Sequence, residues 1–412
     1  MDDPQKLDAN DHRRLGQELD LFVISDLVGS GLPLWTPRGT VLKEELTAYV
    51  NELREKRGFQ KIWSPHLTKT DLYKKSGHWD KFGDELFLVK SQETKDQLVL
   101  KPMNCPHHIQ IYASRPRSYR ELPIKYLETA TVYRDEKSGE LMGLLRVRSI
   151  NMDDSHAFVR EDQIEQTVKE LIEAAQELYK TLGMGLKFRL SFKDDGEGYL
   201  GSEKLWEKAQ GMLEGLAKEE KLDYHVQSGD AAFYGPKIDF LASDVLGRTH
   251  QVATIQLDFV MPERFDLSYV DEKGQPAQPV MIHCALLGSV ERFLAVYIEH
   301  TSGKFPLWLA PEQLRVLTLN DDESILKMSK SVVEDAMKLG IRAQIDDSNE
   351  SVGKKIRNAE LMKVPYTIVI GDKEVQSNKL SPRARKDLPP ADETIGIQEF
   401  LAQIADGSKK RS

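Results

Sequence analysis

Cysteine is scarce: Cys105 and Cys284 are the only two in 412 residues. That scarcity excludes a disulfide framework, makes a reducing cytoplasm the expected compartment, and makes a metal ligand a better expectation than a bridge. Long apolar runs are missing as well. No stretch approaches a membrane span, and the N-terminal MDDPQKLDANDHRR does not read as a signal peptide. No GxxxxGK[ST] loop occurs anywhere, which removes the commonest backbone cradle for nucleotide phosphates. The formal net charge of -9 argues against indiscriminate nucleic-acid binding but leaves room for a local basic groove. What is present is length enough for roughly two or three domains with ample core.

The most informative stretch is 125–158, KYLETATVYRDEKSGELMGLLRVRSINMDDSHAF. It predicts two antiparallel strands, the first from Tyr126 to Arg134, joined by a polar loop containing Ser138, Gly139 and Gly143. Side chains alternate across a strand, so Arg146, Arg148, Ile150, Met152, Asp154 and His156 are expected on one face. That face passes from cationic through apolar to metal-binding. It suits a nucleotide joined to an amino acid, with guanidinium forks for phosphate, an apolar patch for a base, a carboxylate for an ammonium and an imidazole for a metal. For an arbitrary strand of this charge, a solvated face is the bland alternative.

Elsewhere the chain gives weaker signals. The first ten residues are polar and expected to be disordered, and DHRRLGQELDLF reads as a short helix entering the core. Thr40 is the expected cap of a helix reaching Lys56, stopped by Gly58 and followed by a strand from Phe59 to Ser64 that ends at Pro65. His78 falls in an expected loop, as an exposed imidazole beside Trp79. Around Cys105, in KPMNCPHH, Pro102 and Pro106 argue against a regular helix. The spacing of Cys105, His156 and His283 matches no zinc finger and alone would not pair them. Residues 163–182 form an amphipathic scaffold helix stopped by Gly183. Gly235-Pro236 in FYGPKIDF is a turn feeding a strand, THQVATIQLDF is another strand, and 280–297 passes from strand to helix at Gly288. A helix start there favours anions. Beyond Pro311, alternating strands and helices predict a small α/β domain.

Arg134-Asp135-Glu136 at the end of the first strand resembles motif 2 of class II aminoacyl-tRNA synthetases. With MNCP before it, and RVRSINMDDSHAF and MIHCALLGSVERF after it, the chain resembles threonyl-tRNA synthetases from about Asp11 to Leu388. The resemblance implies an α+β fold: a class II antiparallel sheet flanked by helices over 11–308, then an α/β anticodon-binding domain over 309–412. It begins where the family's catalytic domain begins, so the editing domains that precede it in the family are not expected in this chain. It further implies a homodimer through motif 1 around Pro65, and ATP, L-threonine and threonine tRNA as partners.

Its site residues are carried over position by position. Arg134, Lys237 and Arg292 would act on the phosphates, with His78 near the tRNA terminal ribose. Glu136, Arg146, Ile150 and Gln251 would help hold ATP with its Mg²⁺, and Met103, Asp154, Tyr234 and Gln256 the threonine. Cys105, His156 and His283 would hold one Zn²⁺, a three-ligand set that leaves a fourth position open. Arg383, Arg385 and Lys386 are the tRNA-contact candidates of the C-terminal domain, a solvated basic turn being the alternative. Several positions depart from the family pattern: Ile150 stands for a Phe that stacks on adenine, Met152 for a Gln, Ser149 for a Gly, Val252 for a Cys and Cys284 for an Arg. They leave open a rival, a synthetase paralogue that no longer charges tRNA and serves as a regulatory or RNA-binding module. Lys327-Met328-Ser329-Lys330-Ser331 spells the signature loop of the other synthetase class, but Ile325, Val332, Val333 and Met337 around it predict an ordinary amphipathic helix.

Overall fold

The computed structural model describes residues 7–244 and 247–411. Of the stretch expected to be disordered, residues 1–6 therefore lie outside the described residues. Chain contacts divide the protein into two compact units. The first comprises Ile24–Pro33 and Thr47–Tyr297. The second takes the residues up to Val23, Leu34–Leu46, and those from Ile298 onward.

The first unit is built on an eight-stranded sheet. In chain order its strands are β1 (Gln60–Lys61), β2 (Ile124–Tyr133), β3 (Ser149–Val159), β4 (Leu186–Phe192), β5 (Tyr224–Ser228), β6 (Lys237–Ser243), β7 (Thr249–Asp258) and β8 (Val280–Ala285). Their order across the sheet is β5-β4-β6-β7-β8-β3-β2-β1. The expected antiparallel pairing holds through the middle, whereas β5 against β4 and β1 against β2 run parallel at the edges. β2 and β3 form the predicted hairpin, in register from Ile124 opposite Phe158 to Tyr133 opposite Ser149.

Local chemistry moves some boundaries. The helix expected from Thr40 starts at Pro37, because Thr36 is the true cap: its Oγ1 accepts the Gly39 N–H at 3.2 Å, and proline at the first helical position gives up no bond. The strand expected to reach Ser64 stops at Lys61, since the Ser64 N–H donates to the Glu128 carboxylate instead of to a neighbouring strand. β3 begins at Ser149, not at Arg146. Ahead of it Met142 and Arg146 close a turn on each other, and the Arg148 N–H donates to the Gly31 carbonyl. The segment holding Cys105 is a helix after all, Cys105–Ala113, with Pro106 in the first turn where a missing N–H is tolerated. The scaffold helix spans Ile164–Thr181 and buries Val168, Leu171, Ala175 and Leu178 as the spacing required.

The second unit carries a four-stranded sheet of β9 (Leu314–Thr318), β10 (Ala343–Asp346), β11 (Tyr366–Ile370) and β12 (Arg383–Ala384), ordered β10-β9-β11-β12. β9 runs parallel to β10 and β11, and β12 is antiparallel. Helices Glu323–Lys338, Val352–Leu361 and Ile397–Lys410 accompany it. The Lys327–Ser331 stretch is helical as predicted, with Ile325 and Val332 buried, but Met337 is 64% exposed and lies outside the apolar stripe. No helix among the described residues is long and apolar enough to cross a membrane.

Candidate active site

Antiparallel register assembles the centre of the large sheet. Lys237 of β6 lies opposite Gln256 of β7, Gln256 opposite His283 of β8, and His283 opposite His156 of β3. Directly paired residues share a face, so one row of side chains crosses four strands. A bulge in β7 skips Val252 between the partners of Phe240 and Leu241. The extra residue restores Gln251 to the same side as Gln256, although five positions separate them. Both line a cavity of about 940 Å³, together with Met103, Arg134, Glu136, Arg146, Ile150, Met152, Val252 and Arg292. That is the size of a small-molecule site.

β3 divides its labour by face. At odd positions Asn151 bonds Glu291, Asp153 pairs with Arg54 and accepts the Leu286 and Leu287 N–H groups, and Ser155 donates to the Cys284 carbonyl. These bonds fasten β3 to its surroundings. At even positions Ile150 and Met152 line the cavity, while Asp154 and His156 are buried beyond it. Of the two arginines expected on this face, one reaches the cavity and the other does not line it. Arg146 lines the cavity from the preceding turn and pairs with Glu136 and Glu140, and Arg148 donates both Nε and Nη2 to the Glu136 carbonyl.

Cys105, His156 and His283 come together although the last two are 127 positions apart. One ligand atom from each lies within 4.8 Å of the others, and all three residues are buried. His283 Nε2 is 2.8 Å from Asp258 Oδ2, and His156 Nδ1 is 2.8 Å from His108 Nδ1, so each ring has one nitrogen left for the cluster. Burial, with the Asp154 and Asp258 carboxylates beside it, pushes the Cys105 thiol well up. Burial likewise raises Asp154, and it holds His156 well below the ordinary imidazole range. One sulfur, two imidazoles and surplus buried carboxylate make a donor set that fits a zinc ion.

His78 is not exposed and not in a loop. It opens the short helix His78–Phe82 and is buried, with Nδ1 2.7 Å from Ser76 Oγ and Nε2 3.5 Å from Cys105 Sγ. Burial lowers its pKa to about 3. Arg134 is half-buried, its guanidinium 4.7 Å from the Phe82 ring centre and 3.1 Å from Met103 Sδ. Its buried Nε has no protein partner. Tyr234 stacks on His283 at 4.6 Å and donates its hydroxyl to Gln256 Oε1 at 2.5 Å. Gly235 permits that placement, since a Cβ there would sit 2.0 Å from the Leu257 carbonyl oxygen. Lys237 and Gln251 meet on Asp239, at 2.9 and 2.7 Å, with Arg189 and Ser191 on the same carboxylate. Arg292 lies in the first turn of helix Val290–Thr301, just past Gly288, whose φ is 65°. In the second unit Arg383 and Lys386 are both exposed. Arg385 differs: its guanidinium holds Asp387 and the Lys363 and Phe305 carbonyls.

Sequence reasoning passed over Asp258, His108, Glu128, Asp239 and the Arg54–Asp153 pair. The HisHis step after Cys105 was the one visible hint.

Residues 87–301 match the model of the tRNA synthetase class II core domain shared by the G, H, P, S and T enzymes, and 313–406 match the anticodon binding domain. A threonine–tRNA ligase of Gloeobacter violaceus is 46% identical over 409 residues, 98% of this chain. The chain belongs to the class II threonyl-tRNA synthetase family. It spans about two thirds of its curated relatives' length, 65% of the Gloeobacter protein and 63% of one from Synechocystis. The crystal structure described as the RNA binding domain of threonyl-tRNA synthetase from Cryptosporidium parvum superimposes with a TM-score of 0.90 at 36% identity, covering 96% of this chain and 98% of that one. A prolyl-tRNA synthetase of the same organism has the same fold, with a TM-score of 0.72 at 16% identity.

Proposed function

We propose that the chain activates L-threonine with ATP, giving threonyl-adenylate and pyrophosphate, and transfers the threonyl group to the 3′ end of threonine tRNA. One observation carries this reading: the in-register row Gln256, His283 and His156, closed by Cys105, stands beside a cavity lined by Arg134, Glu136 and Arg292. On this reading amino-acid selection and phosphate chemistry are neighbours on one sheet.

Arg134 is the phosphate clamp. Its enclosed guanidinium, with Nε unpartnered, fits a bidentate hold on the α-phosphate as pyrophosphate departs. Arg292, at its helix start, and Lys237 support the same charge, with Mg²⁺ accompanying ATP. Glu136 takes the adenine amino group once its ion pair with Arg146 opens, and Ile150 covers the base face with less stacking than an aromatic ring gives. Cys105, His156 and His283 hold the zinc ion, which when bound supplies a Lewis-acidic position for the amino and hydroxyl groups of threonine. Asp154 accepts from the ammonium, while Tyr234 and Gln256 orient the side chain. His78 serves the terminal ribose of the tRNA, and Arg383 with Lys386 its anticodon end. Trp63, 74% exposed, and Leu67 flank Pro65 and suit a homodimer contact.

The test is charging of threonine tRNA with labelled threonine by the purified, zinc-loaded chain. Acid-stable label on the tRNA supports the reading. ATP and threonine binding without any transfer or adenylate formation would instead make the non-charging module the account.

A further inference from the structure

The two imidazoles of the cluster are held differently. His283 has a carboxylate directly on its outer nitrogen: Asp258 Oδ2 at 2.8 Å, while Oδ1 of the same group accepts the Val260 and Met261 N–H groups. His156 has another imidazole there. Its Nδ1 meets His108 Nδ1 at 2.8 Å, and His108 Nε2 lies 3.3 Å from Glu128 Oε2. Glu128 also accepts the Ser64 N–H at 2.5 Å and the Ser64 hydroxyl at 2.7 Å, and the Lys101 ammonium donates to that hydroxyl and stands 3.9 Å from the carboxylate. All five side chains are buried. His108 sits three positions after Cys105 on one helix, so the same helix face offers a metal ligand and a support for another.

We propose that His108 and Glu128 are positioning residues that fix the tautomer of His156, Glu128 acting through His108 as Asp258 acts directly on His283. The proposal rests on the metal reading given above. Two ring nitrogens 2.8 Å apart share one proton between them. An ionised carboxylate only accepts, and the donors around Glu128 are the two Ser64 groups, Lys101 and His108, all of which point charge or protons at it. The His108 proton therefore sits on Nε2, leaving the lone pair on Nδ1. His156 must donate from its own Nδ1, and its Nε2 lone pair is free to face Cys105 and His283. Without the acceptor on His108, the His156 proton is free to move to Nε2, and the ring stops being a ligand. Conserving ring orientation through an outer-shell carboxylate is a general device of metal sites; here one imidazole lengthens it.

The experiment compares the unchanged chain with His108→Leu, which removes the acceptor, and His108→Asn, whose amide oxygen replaces Nδ1. Zinc affinity is read by competition with a chromophoric chelator, and ligation by the cobalt-substituted visible spectrum. The His156 tautomer is read from side-chain nitrogen–proton correlation spectra of the metal-free chain, with circular dichroism as the check on folding. The expected result is a 10- to 100-fold loss of zinc affinity for His108→Leu and recovery to within about threefold for His108→Asn. The His156 proton should lie on Nδ1 in the unchanged chain and in His108→Asn. Equal zinc affinity in His108→Leu, or equal losses in both variants, would overturn the relay. An unchanged chain that binds no zinc while its His156 proton lies on Nδ1 would instead sink the metal reading and leave the relay standing.

Discussion

Strand β3 of the large sheet and strands β9 and β11 of the small one are buried to the same degree and filled with opposite chemistry. β9 and β11 present Leu314, Val316, Ile368 and Ile370 to Ile325, Val332, Phe400 and Leu401, an apolar core that any residues of similar volume and shape serve. β3 buries Asp153, Asp154, Ser155 and His156 in succession. Each of these needs a specific partner, found in Arg54, Asn104, the Cys284 carbonyl and His108 respectively. A buried polar group without its partner costs free energy, so such a run persists only where the whole constellation is assembled. The contrast separates a core whose residues only pack from a strand whose residues each require a particular partner.

Four substitutions break or sharpen it, the first read in activity and the other three in stability, those three in falling order of effect. Arg134→Ala removes the proposed phosphate clamp and should lower threonine-dependent ATP–pyrophosphate exchange by about 100- to 1000-fold with little change in folding. Arg54→Met leaves the Asp153 carboxylate buried without its cation and should cost roughly 3 to 5 kcal/mol in denaturant unfolding, much of it recovered when Asp153→Asn is added, which removes the charge and keeps an acceptor for the Leu286 and Leu287 N–H groups. Ile368→Ala cuts a cavity in the small domain and should cost roughly 2 to 5 kcal/mol in that domain's unfolding while exchange per folded molecule stays the same. Asp322→Ala deletes the carboxylate that accepts the Ser324 N–H at the start of helix Glu323–Lys338, and should cost about 1 kcal/mol by the same measurement.

Much of the frame was legible because it depends on local periodicity. The stripe of Val168, Leu171 and Leu178 gives the scaffold helix, and the turn at Gly235 gives the strand that follows. The burial of His78 was not legible: an imidazole beside Trp79 in a polar stretch read as surface, and packing against Tyr73, Phe82 and Phe233 covers the ring. Pro106 misled because proline breaks a helix in its interior but not at its first turn. His108 showed only in the HisHis step after Cys105, and Asp258 and Glu128 were invisible for a different reason. They are joined to the site by strand register and helix packing across long separations, and no residue spacing along the chain encodes that. Arg385 looked like a free cation and is held by carbonyls.

The most direct measurement is ATP–pyrophosphate exchange on the purified chain with threonine, serine and valine, before and after zinc is stripped. A site built around the hydroxyl predicts threonine first and serine measurably behind it, a methyl being worth roughly 1 to 3 kcal/mol, with valine near background. Stripping should abolish exchange with threonine, and zinc should restore it. No exchange from folded, zinc-loaded protein, or valine activated as well as threonine, would contradict the account.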